Sequence, residues 1–244
     1  MVQTCQIIAL GTVPYHEAWG IQKQLAELRG IDQIPDTLLL LEHPHVYTLG
    51  SSAKPTNLVW DEAERLANGV EIVQVDRGGD VTYHGPGQLV GYPILKLPRT
   101  VNGLHADVIG HVRHLEHMLI EALATFGVSA FAEPKLTGAW VRTGPQTIAK
   151  IAQIGVKVTT KAVTQHGFAL NVAPDMRYFS GIVPCGIADK PTISMAQLLE
   201  PAPTMDRVVD AISIAFGTVF DCDLIIESPE ALWSQLKSAS HVSV

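Results

Sequence analysis

Positive charge is scarce in this chain. Its 17 Lys and Arg are outnumbered by 24 Asp and Glu, a formal net charge of −7. No Lys/Arg-rich run offers a phosphate footprint, so nucleic-acid binding is excluded. Long apolar runs are missing too, and none approaches the roughly 20 residues of a membrane span. A basic segment leading into an apolar one is not found at the start, so no secretory leader is expected. Cysteine occurs only as Cys5, Cys185 and Cys222, too widely spaced for a disulfide framework or a Cys-x-x-Cys metal site. A reducing cytoplasm is therefore the expected setting. Repeats, linkers and low-complexity blocks are also absent.

What remains is a globular composition, 47% hydrophobic and 17% charged over 244 residues, enough for one core. The expectation is a single catalytic domain over 1–237, with a polar tail at 238–244 that frays. Its fold class is α/β, a mixed and mostly antiparallel sheet flanked by helices. Dense β text without βαβ alternation after Ser129 sets the sheet type.

The chain is organised around Arg77-Gly78-Gly79-Asp80-Val81-Thr82-Tyr83-His84-Gly85-Pro86-Gly87-Gln88. Strand-like text flanks it at 71–75 and 89–95. Glycine lets main chain approach a ligand closely, and a long turn would explain the glycines. It would not explain the Arg, Thr, Tyr, His and Gln set among them, so this is read as a site. A phosphate-cradling loop needs Gly-Lys-Ser/Thr opening a helix, which is absent. Gly85-Pro86-Gly87 begins like a dinucleotide fingerprint, but Val90 replaces the third glycine and a strand follows.

Elsewhere, strands are expected at 5–11, 37–41, 138–141, 147–158 and 163–172. Helices are expected from Pro14 to Gly30, over 61–67, 104–126 and 205–220, and after Ser228-Pro229. In the 104–126 helix, Val108, Val112, Leu115, Leu119 and Leu123 make the inner stripe. His111, His114 and His117 then fall on a polar outer face, where they could also hold a metal. His43 and His45, two apart on an extended segment, are a weaker metal pair without a third ligand. No metal is assigned.

Each cysteine has its own setting. Cys5 lies in an apolar strand and reads as a small buried hydrophobe. Asp221 and Asp223 flank Cys222 and oppose its thiolate. Cys185, between Pro184 and Gly186 in irregular text, is the best local candidate for a reactive thiol. A free thiol with pKa near 8.5 is only a few per cent ionised at neutral pH, so it needs a nearby cation. Lys150 interrupts an otherwise apolar strand, which marks it as an outward-facing edge residue or a functional one. Burial would depress its pKa and suit it to proton transfer.

The run Arg77-Gly78-Gly79, Thr82-Tyr83-His84-Gly85-Pro86-Gly87-Gln88 and Tyr92 resembles the pattern of lipoyl(octanoyl) transferases, the LipB family. So do Glu42-His43-Pro44 with Tyr47-Thr48-Leu49-Gly50, Lys150-Ile151-Ala152 with Gly155, and His166 to Val172 leading to Pro184-Cys185-Gly186. The matches follow the family's order across residues 40–190, although the 159–162 loop is a residue longer than that pattern. The resemblance implies a fold like that of lipoate and biotin protein ligases. It makes Cys185 the acyl-accepting nucleophile and Lys150 the group that lowers its pKa and shuttles a proton.

The same resemblance places the acyl chain against three segments. These are Arg77, Gly78, Gly79, Asp80, Val81, Thr82, Tyr83 and His84; then Gln153, Ile154 and Gly155; then Gly167, Phe168 and Ala169. The donor would be octanoyl-acyl carrier protein. Acceptors would be lipoyl domains of 2-oxoacid dehydrogenase E2 subunits and the glycine cleavage H protein. An acidic carrier meeting an acidic enzyme requires a local basic patch, for which Lys135, Arg142, Lys157 and Lys161 are candidates. A thioester is already activated, so no cofactor and no ATP are expected, and the enzyme is expected to act as a monomer. Main-chain N–H groups near Gly78-Gly79 or Gly186 are candidate oxyanion donors, and His84 is either a proton relay or a structural histidine. The rival readings are an ATP-dependent lipoate or biotin protein ligase and a non-catalytic histidine-rich metal-binding module.

Overall fold

Strand β2 (Asp36–Glu42) is the spine, because its Thr37-Leu38-Leu39-Leu40-Leu41 run is apolar on both faces. Such a strand must be covered from both sides. Leu38 and Leu40 point into one core and Leu39 and Leu41 into the other. The computed structural model describes residues 3–98, 106–184 and 190–240. An eight-stranded sheet grows outward from this spine. Its members are β1 (Gln3–Thr12), β2, β6 (Gln88–Ile94), β7 (Ala130–Glu133), β8 (Leu136–Arg142), β9 (Ile148–Val158), β10 (Thr164–Asn171) and β11 (Cys222–Glu227). They run in the order β11-β1-β2-β6-β10-β9-β8-β7. The β11/β1 and β1/β2 pairs are parallel and the rest antiparallel, a mixed and mostly antiparallel sheet as expected.

Helices close both faces. On one lie α1 (Tyr15–Gly30) and α5 (Pro229–Ser240), packing Ile21, Leu25 and Leu232 onto Ile8, Leu39 and Val90. On the other lie α3 (Val108–Ala124) and α4 (Met205–Phe220), packing Leu115, Leu119, Ile212 and Phe216 onto Leu38, Leu40 and Leu170. The short α2 (Glu62–Ala67) starts in a capping box, Glu64 N–H on Asp61 and Asp61 N–H on Glu64. The last helix continues to Ser240, past the Lys237 where fraying was expected, and 241–244 lie outside the described residues. None of the described helices is long and apolar enough to cross a membrane.

Three features depart from the expectation. A second sheet of β4 (Glu71–Gln74), β3 (Val46–Leu49) and β5 (Val81–His84) stands beside the first, so the 77–88 stretch contains a strand. Its core is aromatic, with Tyr47, Tyr83, Tyr178 and Phe179 packed together. Strand β11 was not anticipated, because its partner β1 lies more than two hundred residues away. Finally, α3 is rotated from the expected stripe. Val108 is exposed, while His111, Glu116 and Met118 are buried with Leu115 and Leu119. The helix packs against both the sheet and α4, and this widens its buried arc. His111 thus faces inward and does not share an outer face with His114 and His117, which are exposed.

Candidate active site

Where the two sheets meet, main chain from the small one is held against the large one. Gly78 N–H donates to Val156 C=O on β9 at 3.0 Å. Gly155 permits this approach, since a Cβ there would lie 3.1 Å from Arg77 Cδ and 3.2 Å from Gly78 O. Arg77 is buried, and its guanidinium donates to Thr48 O and Thr48 Oγ1 at 2.8 Å each and to Gly78 O at 3.0 Å. Beneath this corner lies a narrow cavity of about 50 Å³. Alternation along β5 decides which side chains reach it. Thr82 and His84 line it, whereas Val81 and Tyr83 point into the aromatic core.

Hydrogen bonds fix the tautomers of the histidines around the cavity. Gln88 Nε2 donates to Tyr83 O and Asn171 Oδ1, leaving Gln88 Oε1 to accept from His84 Nδ1–H at 2.8 Å. His43 Nδ1–H donates to Val13 O at 2.7 Å, so Nε2 accepts from the Tyr92 hydroxyl at 2.7 Å. His166 Nε2–H donates to Asp76 at 2.8 Å, and its Nδ1 faces the Tyr15 hydroxyl at 3.4 Å. Burial holds all three rings neutral. It pushes His43 and His166 down to about 4 and His84 well below its ordinary 6.5. His45, in contrast, bonds Tyr83 and stacks on Tyr178, so His43 and His45 belong to separate networks.

Lys150 reaches this side of the sheet through an irregularity in β9. Ala139 pairs with Ala152 and Trp140 with Lys150, so Ile151 is an extra residue, a β-bulge. Ala149, Ile151, Ala152, Ile154, Val156 and Val158 all pack into the core under α3 and α4. The bulge therefore leaves Lys150, Gln153 and Gly155 together on the opposite face. Unbroken alternation would have put Lys150 in the α3 core. Lys150 is buried, its ammonium donating to Thr137 O at 3.0 Å and sitting 4.8 Å from the Trp140 ring centre.

Three segments expected to meet the acyl chain do converge, and they contribute unequally. The cavity is lined by Arg77, Gly78, Gly79, Thr82 and His84, by Gln153, Ile154 and Gly155, and by Gly167, Phe168 and Ala169. Asp80, Val81 and Tyr83 do not line it. Asp80 instead ties down its own loop, accepting from Val81 N, Lys54 N and Asn57 Nδ2. Lys150 is not in the lining either, standing three positions along β9 from Gln153. Sequence reasoning missed Tyr15, Val90, Tyr92 and His166 as lining residues. Tyr92 and His166 lay within the family pattern, so a signal existed for them. Tyr15 comes from α1, and nothing local marked it.

Cys185 lies outside the described residues. The other two thiols are remote from Lys150. Cys5 on β1 is four strands from β9 and Cys222 on β11 is five, about 19 and 24 Å at sheet spacing. Both border a separate cavity beside α3 and α4. The expected effect of Asp221 and Asp223 on Cys222 has the right sign but is outweighed. A hydrogen bond with Cys5 leads, and it holds the Cys222 thiol below its ordinary value while that of Cys5 is driven up. Among the described residues, no cluster of three or more His, Cys, Asp or Glu is arranged to hold a metal.

Residues 14–217 match the family model of the lipoyl protein ligase A/B catalytic domain. The chain is 47% identical to the octanoyltransferase of Chloroflexus aggregans, over 90% of this chain and 96% of that protein. It is also 47% identical to the octanoyltransferase of Koribacter versatilis, over 88% and 84%. Among solved structures, a bipartite lipoate protein ligase from Thermoplasma acidophilum superposes with a TM-score of 0.75 at 16% identity, covering 97% of this chain and 91% of that one. A lipoate-protein ligase A bound with ATP gives 0.73 at 16%, covering 98% and 94%. At such identity the solved structures bear on the fold alone.

Proposed function

The chain belongs to the lipoyl protein ligase A/B catalytic-domain family and is an octanoyltransferase, and from that premise we propose that Cys185 carries the acyl group while Lys150 handles its proton. Its acceptor is a lipoyl-domain protein. Octanoyl-acyl carrier protein is the proposed donor, with E2 lipoyl domains and the glycine cleavage H protein as the proposed acceptors.

In the first half-reaction the Cys185 thiolate attacks the thioester carbonyl carbon. The tetrahedral adduct collapses, the carrier's thiolate leaves and takes up a proton, and the acyl group remains on the enzyme as a thioester. In the second, the acceptor's lysine amine attacks that thioester. An amide forms, the amine loses a proton, and the Cys185 thiolate is regenerated. No bond in this sequence draws on ATP.

One observation carries the assignment of Lys150: the β9 bulge turns it to the face that also bears Gln153 and Gly155 of the cavity. Two further points support it. Burial holds the pKa values of His43, His84 and His166 well below neutrality, which makes each ring a weak base, and the second ring nitrogens of His43 and His166 already face the hydroxyls of Tyr92 and Tyr15. Cys5 and Cys222 pack into the opposite core, away from the face that bears Lys150, and this supports proposing Cys185 as the thiol.

Incubating the enzyme with octanoyl-carrier protein in the absence of ATP tests the reading. Intact-mass analysis should show one octanoyl adduct, lost in Cys185→Ser and passed to a lipoyl domain on its addition. An adduct that survives the serine substitution, or one that appears only with ATP, refutes it. The second outcome would favour a ligase, here a relative in fold only.

A further inference from the structure

A buried amide with nothing to bond is expensive, and Gln153 is one. It is 5% exposed, lines the cavity, and neither its Oε1 nor its Nε2 has a hydrogen-bond partner. Each unmet polar atom of this kind loses its water without gaining a partner, which destabilises the fold. Such a group calls for an explanation, and one that lines a cavity is placed to bond whatever binds there. The Thr82 hydroxyl is in the same position, buried, unpartnered and in the same lining. The two differ in where they stand. Thr82 belongs to the small sheet, opposite Thr48. Gln153 shares a strand face with Lys150, because the extra residue Ile151 cancels the odd spacing between them. Of the cavity's side chains on β9 it is the nearest in sequence to the lysine.

An octanoyl thioester is apolar along its tail and offers one strong acceptor, the carbonyl oxygen at the reacting carbon. We propose that Gln153 Nε2–H donates to that oxygen, holding the thioester in place and stabilising the negative charge it acquires in both half-reactions. In the second half-reaction Gln153 Oε1 accepts an N–H of the attacking amine. Both polar atoms of the amide are then satisfied only when the reacting groups are in place. This inference rests on the acyltransferase reading and assigns a carbonyl donor within it.

The test uses the full-length enzyme, octanoyl-carrier protein and rapid-quench intact-mass analysis. Gln153→Met keeps the side chain's length and apolar bulk but removes donor and acceptor. It should slow acyl-enzyme formation on the order of 10²-fold, the usual effect of losing one such donor, with little change in the carrier concentration giving half the maximal rate. Transfer to a lipoyl domain should slow as well. A spectroscopic readout separates this role from packing. In octanoyl-enzyme made with a ¹³C carbonyl, the infrared C=O stretch should move to higher frequency in the methionine variant, since a hydrogen bond has been lost. If that variant does not fold, Gln153→Ala is measured in the same two ways.

Acylation within threefold of wild type, or an unmoved carbonyl band, overturns the proposal. So does a larger effect in Thr82→Val than in Gln153→Met, which would pass the role to the threonine. Wild-type enzyme forming no adduct at all would instead refute the acyltransferase reading, so the two failures are distinguishable.

Discussion

Replacing His111 with leucine should make this protein more stable, and more so in acid. His111 is 2% exposed on α3, and neither ring nitrogen has a hydrogen-bond partner. Burial, with a smaller contribution from His114, pushes its pKa from 6.5 to about 4. A folded pKa below the unfolded one means that the unfolded chain binds more protons between those values, so stability rises with pH there. At pH 5 the unfolded histidine is almost fully protonated and the buried one almost fully neutral. The linkage then amounts to about 2 kcal/mol of stability lost relative to pH 7. At pH 7 it is negligible, but the unmet ring nitrogens still destabilise by about 1–3 kcal/mol. Leucine fills a similar volume beside Phe220 and carries neither penalty. Urea unfolding at pH 7 and pH 5, followed by tryptophan fluorescence, measures both quantities. The variant should gain about 1–3 kcal/mol at pH 7 and lose about 2 kcal/mol less than wild type on going to pH 5. An equal acid loss in the two proteins would refute the argument, as would a leucine variant weaker than wild type at both pH values.

Further outcomes follow from the same geometry. Lys150→Met, which keeps length and removes the charge, should reduce octanoyl transfer by at least about 10²-fold with the fold intact by circular dichroism; transfer within tenfold of wild type would exclude the lysine from proton handling. Gly91→Ala would set a Cβ 2.2 Å from the Phe168 ring. The ring must move, so the variant should lose stability by about 1–3 kcal/mol and discriminate less sharply among acyl chain lengths in a competition assay. Glu116→Gln disturbs a buried carboxylate that accepts from Gly138 N–H at 3.0 Å and Arg113 at 2.5 Å. It should destabilise by about 1–3 kcal/mol in urea unfolding, and no change would show that the carboxylate charge is immaterial there.

Local chemistry was readable in the sequence and long-range geometry was not. The helix over 205–220 has the bounds expected, and Asp61 and Ser228 stand at helix starts as their side chains dictate. In each case the cause lies within a few residues. The pairing of β11 with β1 had no such cause, since Leu224-Ile225-Ile226 could pair with any strand. His111 was placed on the wrong face because the stripe reading assumed one packing partner for α3. In the site, the glycine-rich stretch announced itself by its polar side chains. That Val81 and Tyr83 turn away from the cavity follows only once residues 81–84 are known to be a strand. The bulge at Ile151 is invisible in the text, yet it decides which side of the sheet Lys150 serves.

The contact of Gly78 with Val156 has a further implication, for solubility. Strand β8 pairs with β9 from Ile148 to Ala152, and farther along β9, among the described residues, Gly78 N–H from the 77–79 loop covers Val156 C=O. A bare strand margin invites pairing with another chain. Substitutions that pry the loop away should therefore show up as clumping at high concentration, even where the folded core is unharmed. The residues that line the cavity are also those that keep neighbouring molecules apart.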